Sequence, residues 1–195
     1  MENSTSKRRY FPGGLQKDLV FQVVPLTFFV YWLFSFIPVI GSALYLLVLV
    51  PLSAKRHIAL KKSRNTHSIY LWYLTVIAIG FLSVWGFIGH LFLADSIASQ
   101  IGWATGSPFQ TELAFYSLGI GVAGLVAVWL RGHLITGLLI TKVIFWYGAA
   151  YTHILDAAEN NNFSPLNIGT PLINDILLPT VLGVLLYLTI RRESG

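Results

Sequence analysis

Four stretches of this chain are each apolar for about the length of one membrane crossing, and nothing else in the sequence constrains its fold as strongly. They are Ser68–Leu93, Pro108–Leu130, Leu134–Ile154 and Pro171–Ile190. A helix needs about 20 mostly apolar residues to cross a hydrocarbon core of about 30 Å. A fifth block, Leu19–Ser53, is too long for one crossing. As a single helix it would reach roughly 50 Å at about 1.5 Å per residue. Pro25, Pro38 and Gly41 inside it point to a break, so it is read as a hairpin or as one span preceded by an interfacial helix. It also exceeds the about 7–15 apolar residues of a secretory signal, and is read as retained. The expectation is an all-α, polytopic transmembrane helical bundle. It has a four-helix core over 68–190, one or two N-terminal spans from 19–53, and a basic N-terminal segment at 1–18.

Charge is scarce and placed accordingly. Only 11% of the residues are charged and 55% are hydrophobic, whereas a soluble domain carries about a quarter charged residues. The net charge of +5 comes from Lys and Arg flanking the apolar blocks, which suits anionic headgroups of a lipid bilayer and not nucleic acid. The connector 55–64 holds Lys55, Arg56, Lys61, Lys62 and Arg64; Arg131 sits between Pro108–Leu130 and Leu134–Ile154, and Arg191 and Arg192 follow the last block. The connectors Ala94–Ser107 and Leu155–Thr170 contain no Lys or Arg. The alternation predicts basic segments, including the C-terminus, on the cytoplasmic side of the cell (inner) membrane and the two longer loops outside. A hairpin at 19–53 is favoured over a single span, because it keeps Lys7, Arg8, Arg9 and Lys17 inside as well. Cysteine is absent, which excludes disulfides, thiol catalysis and thiolate metal sites.

The ionisable residues inside the apolar blocks are the candidates for chemistry. Ser107-Pro108-Phe109-Gln110 has the form of a capping box with proline at the first helical position and places Glu112 one turn into the helix of Pro108–Leu130. Thr170-Pro171 repeats the arrangement and places Asp175 one turn into the last. His90 and His153 lie near the outer ends of Ser68–Leu93 and Leu134–Ile154, and Asp156 follows His153 by three residues on the same face. The expectation is that His90, Glu112, His153 and Asp175 meet from four helices beneath the outer surface. Each shares a stripe with small residues: Gly86 and Ser83, Gly119 and Ala123, Ala149, and Gly183 respectively. Small residues mark close helix contacts, and ionisable groups there face the bundle interior. Two imidazoles and two carboxylates suit zinc or non-haem iron, so these four residues are also a candidate metal set, though no compact H-E-x-x-H spacing supports it. The bland alternative is that the carboxylates simply pair with the histidines and lock the bundle.

Lys142 is the one cation well inside a span and shares the face of His153. Snorkelling to the inner headgroups is the favoured reading; the sharper one is a counter-ion or proton relay below the outer cluster. Trp72, Tyr73, Trp103 and Trp129 read as interfacial belt residues. Gly119-Ile120-Gly121-Val122-Ala123-Gly124 spells G-x-G-x-x-G but follows no strand, so helix contact explains it better than dinucleotide binding.

The order of motifs from Gly86 onward resembles a family of small prokaryotic integral membrane proteins, the domain of unknown function 6790. The resemblance rests on Gly86-Phe87-Ile88-Gly89-His90-Leu91-Phe92, Asp95, Ile101-Gly102-Trp103 and Gly106-Ser107-Pro108-Phe109-Gln110-Thr111-Glu112. It continues in Gly148-Ala149-Ala150-Tyr151-Thr152-His153, Asn167-Ile168-Gly169 and Asp175-Ile176-Leu177-Leu178-Pro179, covering about Ser68 to Ile190. It implies a polytopic membrane protein and brings no activity with it.

The sequence therefore does not settle an activity. Three readings stand: a ligand- or metal-binding membrane protein using His90, Glu112, His153 and Asp175, with Asp156 and Lys142 nearby; a small proton-coupled transporter; or an accessory subunit of a larger membrane complex. A homo-oligomer is left open, no cofactor is specified, and no Ser-His-acid arrangement argues for an enzyme.

Overall fold

The computed structural model describes residues 66–193. The block at 19–53, the basic segment before it, the basic connector 55–64 and the choice between five and six spans lie outside the described residues. Helix α1 (Thr66–Leu74) runs through a π-helical stretch (Thr75–Phe81) into α2 (Leu82–Phe92), giving one continuous rod. Then come α3 (Ala94–Ile101), α4 (Phe109–Val126), α5 (His133–Asn160), a short α6 (Pro165–Ile168) and α7 (Thr170–Glu193). Among the described residues every regular element is helical. Four rods are long and apolar enough to cross a membrane: His67–Phe92, Phe109–Val126, His133–Asn160 and Pro165–Arg191. They coincide with the four blocks expected from hydropathy.

The first rod is the central one. About 61% of its most apolar window is buried, against 28–33% for the other three. One half, α2, packs along α4, while α1 packs along α7, and α5 closes the bundle against α7. The core lies at the end where α1 begins, around the fully enclosed Trp72, Tyr73, Ile77 and Leu182. Trp72 and Tyr73 are therefore interior residues and not belt residues. The Trp72 indole N–H donates to Ala127 O at 2.9 Å, and the Arg131 guanidinium lies 4.3 Å above its ring. Arg131 also donates to Val128 O, and burial draws its pKa down to about 10, which leaves it charged at neutral pH. Trp129, by contrast, is exposed. Outward faces carry large apolar side chains, among them Phe115, Ile144, Tyr151 and Tyr187, as expected of a surface bathed in lipid.

The rods cross most tightly where α4 meets the π-helical stretch. A Cβ on Gly124 would lie 2.6 Å from Gly80 N, and one on Gly121 would lie 2.8 Å from Val84 N. Gly119, the first glycine of the G-x-G-x-x-G string, has nothing within 4 Å. Two of the three glycines thus make the helix contact expected of the string, and the first faces away.

At the opposite end from the core, both connectors are more ordered than turn-like loops. Ile97, Ala98 and Ile101 give the first a short apolar stripe, and it folds as α3 across the helix ends. Gly102 ends α3 with φ +87°, and its N–H caps Ala98 O and Ser99 O. That left-handed conformation favours glycine, and any Cβ would strike the Asn162 and Ser164 side chains. The third rod extends to Asn160, further than Ile154, and Pro165 starts the turn of α6.

Candidate functional site

Between α2, α4, α5 and α7, beneath α3 and α6, lies a cavity of about 490 Å³. That is within the usual range for sites that hold small organic molecules, about 300–1,000 Å³. Leu82, Ser83, Lys142 and Leu178 line it deepest, Trp85, Phe145 and Trp146 form its walls, and His90, His153, Asp175 and Trp103 line it nearer α3 and α6.

Of the residues expected from sequence, the structure brings His90, His153, Asp175 and Lys142 to this cavity. Glu112 is not among them. It is exposed on α4, so the expected four-way meeting with Glu112 does not form. The inward face of α4 is Gln110, Ala114, Ser117, Gly121 and Gly124, and the stripe of Glu112 and Gly119 points away. In place of Glu112, Gln110 faces His90: Gln110 Oε1 lies 2.6 Å from His90 Nδ1. Gln110 therefore does not close a capping box, and Ser107 meets it only through Gln110 N–H to Ser107 O at 3.2 Å.

His153 is held in one orientation by a network on α6. Asn167, fully buried, donates through Nδ2 to His153 O (3.3 Å) and Asn162 O (2.7 Å), and its Oδ1 lies 2.7 Å from His153 Nδ1. Two carbonyl acceptors fix which way the amide faces, so Oδ1 accepts and Nδ1 of His153 carries a proton. The other nitrogen, Nε2, lies 3.9 Å from Asp175 Oδ2. The Trp103 ring stacks on the imidazole with centroids 5.6 Å apart and planes at 14°. Trp103 is thus a wall of the site and not a belt residue.

Asp156 serves the cavity from outside. It accepts from Trp103 Nε1 (2.8 Å), Asn162 Nδ2 (2.6 Å) and Asn160 Nδ2 (2.8 Å), and Asn162 also donates to Ile101 O. These bonds tie the end of α5 to the end of α3 and hold Trp103 over His153. Replacing Asp156 by alanine is expected to free Trp103, raising iodide quenching of the protein's emission. The same replacement in a Trp103→Phe background should leave quenching unchanged, and equal increases in both would dismiss the tie.

Lys142 does not snorkel. It is 5% exposed, with Nζ 4.6 Å from the Phe145 ring centroid and 4.7 Å from that of Trp146. No hydrogen-bond acceptor for it exists among the described residues. The Ser83 hydroxyl, 3% exposed, likewise has no partner. Buried donors are almost always satisfied in folded proteins, so two open ones in one cavity are conspicuous. A metal centre fits less well: among the described residues no three His, Asp or Glu side chains are grouped closely enough to share an ion.

Sequence reasoning missed Gln110, Trp103 and Asn167 as working residues. Their signal was present in the strings Ser-Pro-Phe-Gln, Ile-Gly-Trp and Asn-Ile-Gly, which carried the resemblance without showing a role. No curated protein and no solved structure matches the chain. A family model matches residues 30–195, and with that match over most of its length the chain belongs to the family of unknown function DUF6790.

Proposed function

We propose that this protein is an integral membrane protein that binds a small organic molecule within the non-cytoplasmic half of its bundle. The observation that carries the reading is the cavity between the four rods, lined by the buried Lys142, whose ammonium has no hydrogen-bond acceptor among the described residues, and by Ser83, whose buried hydroxyl has no partner among them. Burying a polar group without a partner costs about 1–3 kcal/mol, and more for a charge; a bound acceptor relieves that cost. The basic connectors favour placing Arg131 and Arg191 in the cytoplasm, which puts α3 and α6 at the outer surface and the cavity just beneath them.

The transporter reading is less well supported. Between the cavity and the basic end the bundle is filled by Trp72, Tyr73, Ile77, Leu139 and Leu182, each at most 2% exposed, which leaves no polar route among the described residues. Binding fits better than passage.

Native mass spectrometry of protein released gently from membranes tests the reading. Wild-type protein should carry one small molecule per chain, and Ala149→Trp, which fills the cavity, should lose it. If wild type and variant show the same masses, the binding reading falls. A stoichiometric protein partner in both would favour the accessory-subunit reading.

A further inference from the structure

Resting on that reading, we propose that the occupant is an organic monoanion: a carboxylate or phosphate-type group carried on an apolar or aromatic body, with the anionic group against Lys142 and Ser83.

Among the described residues, the charged and titratable groups lining the cavity are His90 on α2, Lys142 and His153 on α5, and Asp175 on α7. Asn167 forces a proton onto His153 Nδ1, so a neutral ring presents a lone pair at Nε2. That lone pair would face the carboxylate of Asp175 at 3.9 Å. At that separation, beyond hydrogen-bond reach, the lone pair and the carboxylate repel each other, and one proton on either partner removes the repulsion. With that proton the His153–Asp175 pair is neutral in sum, whichever partner holds it. Asp175 then no longer offsets Lys142. His90, whose Nδ1–H is directed to Gln110 Oε1, is neutral or positive and never negative. The cavity is left with one positive charge, enclosed by Phe145, Trp146 and Trp85 and without an acceptor.

A buried ammonium needs an anion and hydrogen-bond acceptors. Ser83 lines the same cavity and supplies a second donor, which suits a group with at least two acceptor oxygens. The three aromatic walls and the volume of about 490 Å³ suit a body much larger than an inorganic ion. At the other end, the Nε2 lone pair of His90 can accept from a hydroxyl or amine on the ligand. A free aromatic acid and an anionic lipid share this chemistry.

The test uses wild-type protein in detergent and three additives: 2-naphthoate, its neutral isostere 2-naphthamide, and sodium chloride. 2-Naphthoate should raise the unfolding temperature saturably, and bind about tenfold or more tightly than 2-naphthamide, the factor expected of one charge-assisted bond. Lys142→Met should erase the difference between acid and amide, while Lys142→Arg should retain it. The acid–amide comparison needs no variant, so it stands even if Lys142→Met does not fold. Competition by phosphatidylglycerol would identify a lipid source and support the proposal. If acid and amide bind equally and Ala149→Trp abolishes both, the cavity binds molecules but not anions, and only this inference fails. Saturable stabilisation by sodium chloride alone would overturn the organic body. Binding of neither naphthalene compound would overturn both readings.

Discussion

Replacing Asn167 by leucine is expected to destabilise the protein by about 2–6 kcal/mol. The side chain is completely enclosed and makes three hydrogen bonds, to His153 Nδ1, His153 O and Asn162 O. Leucine fills a similar volume but strands the Asn162 carbonyl and the His153 ring N–H, each costing about 1–3 kcal/mol once buried and unmade, while His153 O keeps its bond within α5. Asn167→Asp separates the contributions. It keeps an acceptor for the His153 N–H and loses both donors to carbonyls, so it should fall between wild type and Asn167→Leu. It also sets a carboxylate beside an imidazole, which favours a doubly protonated His153. Thermal unfolding in detergent reads both variants. A melting temperature for Asn167→Leu that matches wild type would mean that α6 is not pinned through this residue.

The ligand cavity depends on the same bonds. With Asn167 gone, His153 is free to exchange tautomers and to swing from under Trp103, and its relation to Asp175 is no longer fixed. Stability and ligand affinity should therefore fall together in Asn167→Leu. Ser83→Ala should behave oppositely. It removes a buried hydroxyl that has no partner, so the unliganded protein is expected to be as stable as wild type or slightly more so, while affinity falls. That opposition distinguishes a group kept for binding from one kept for folding.

How far the sequence foretold this arrangement can be judged on single helices. Hydropathy located the four rods because a bilayer-length apolar run has few alternatives. The faces of α5 and α7 were also legible: eleven residues bring Lys142 beneath His153, since about three turns restore the register, and Asp175 opposes them. On α4 the reading failed because the helix carries two small-residue stripes. Gly119 and Ala123 continue the line of Glu112, while Ser117, Gly121 and Gly124 continue the line of Gln110. Both are chemically suited to close packing, and only the position of α2 chooses between them. A carboxylate drew more weight than an amide, so Glu112 was placed inward and Gln110 was spent on a cap. Lys142 was misjudged for a related reason. Its stem is long enough to snorkel, and nothing in a linear pattern reveals that Phe145 and Trp146 hold the ammonium in the bundle. Trp103 and Asn167 belong to connectors, where apolar periodicity is silent and only the folded contacts of α3 and α6 give each residue its partner.

The second stripe on α4 carries the other large expected effect. Gly124→Val should cost about 3 kcal/mol or more, at or beyond the upper end of what overpacking of a core commonly costs. The obstacle is backbone: a Cβ at 124 would lie 2.6 Å from Gly80 N and 2.7 Å from Gly80 Cα. No side chain can swing aside, so the rods must separate. Separation at this crossing also loosens the contact of Gly121 with Val84, three residues further along α4. Gly119 provides the control on the same helix. It has nothing within 4 Å, so Gly119→Ala should be neutral or stabilising by up to about 1 kcal/mol through helix propensity alone. The pair tests which stripe of α4 is the contact face, because the opposite assignment reverses the ranking. If Gly119→Ala proves the more damaging of the two, Glu112 turns inward with Gly119, and the cavity as described here, with Gln110 on His90, is not the one the protein builds.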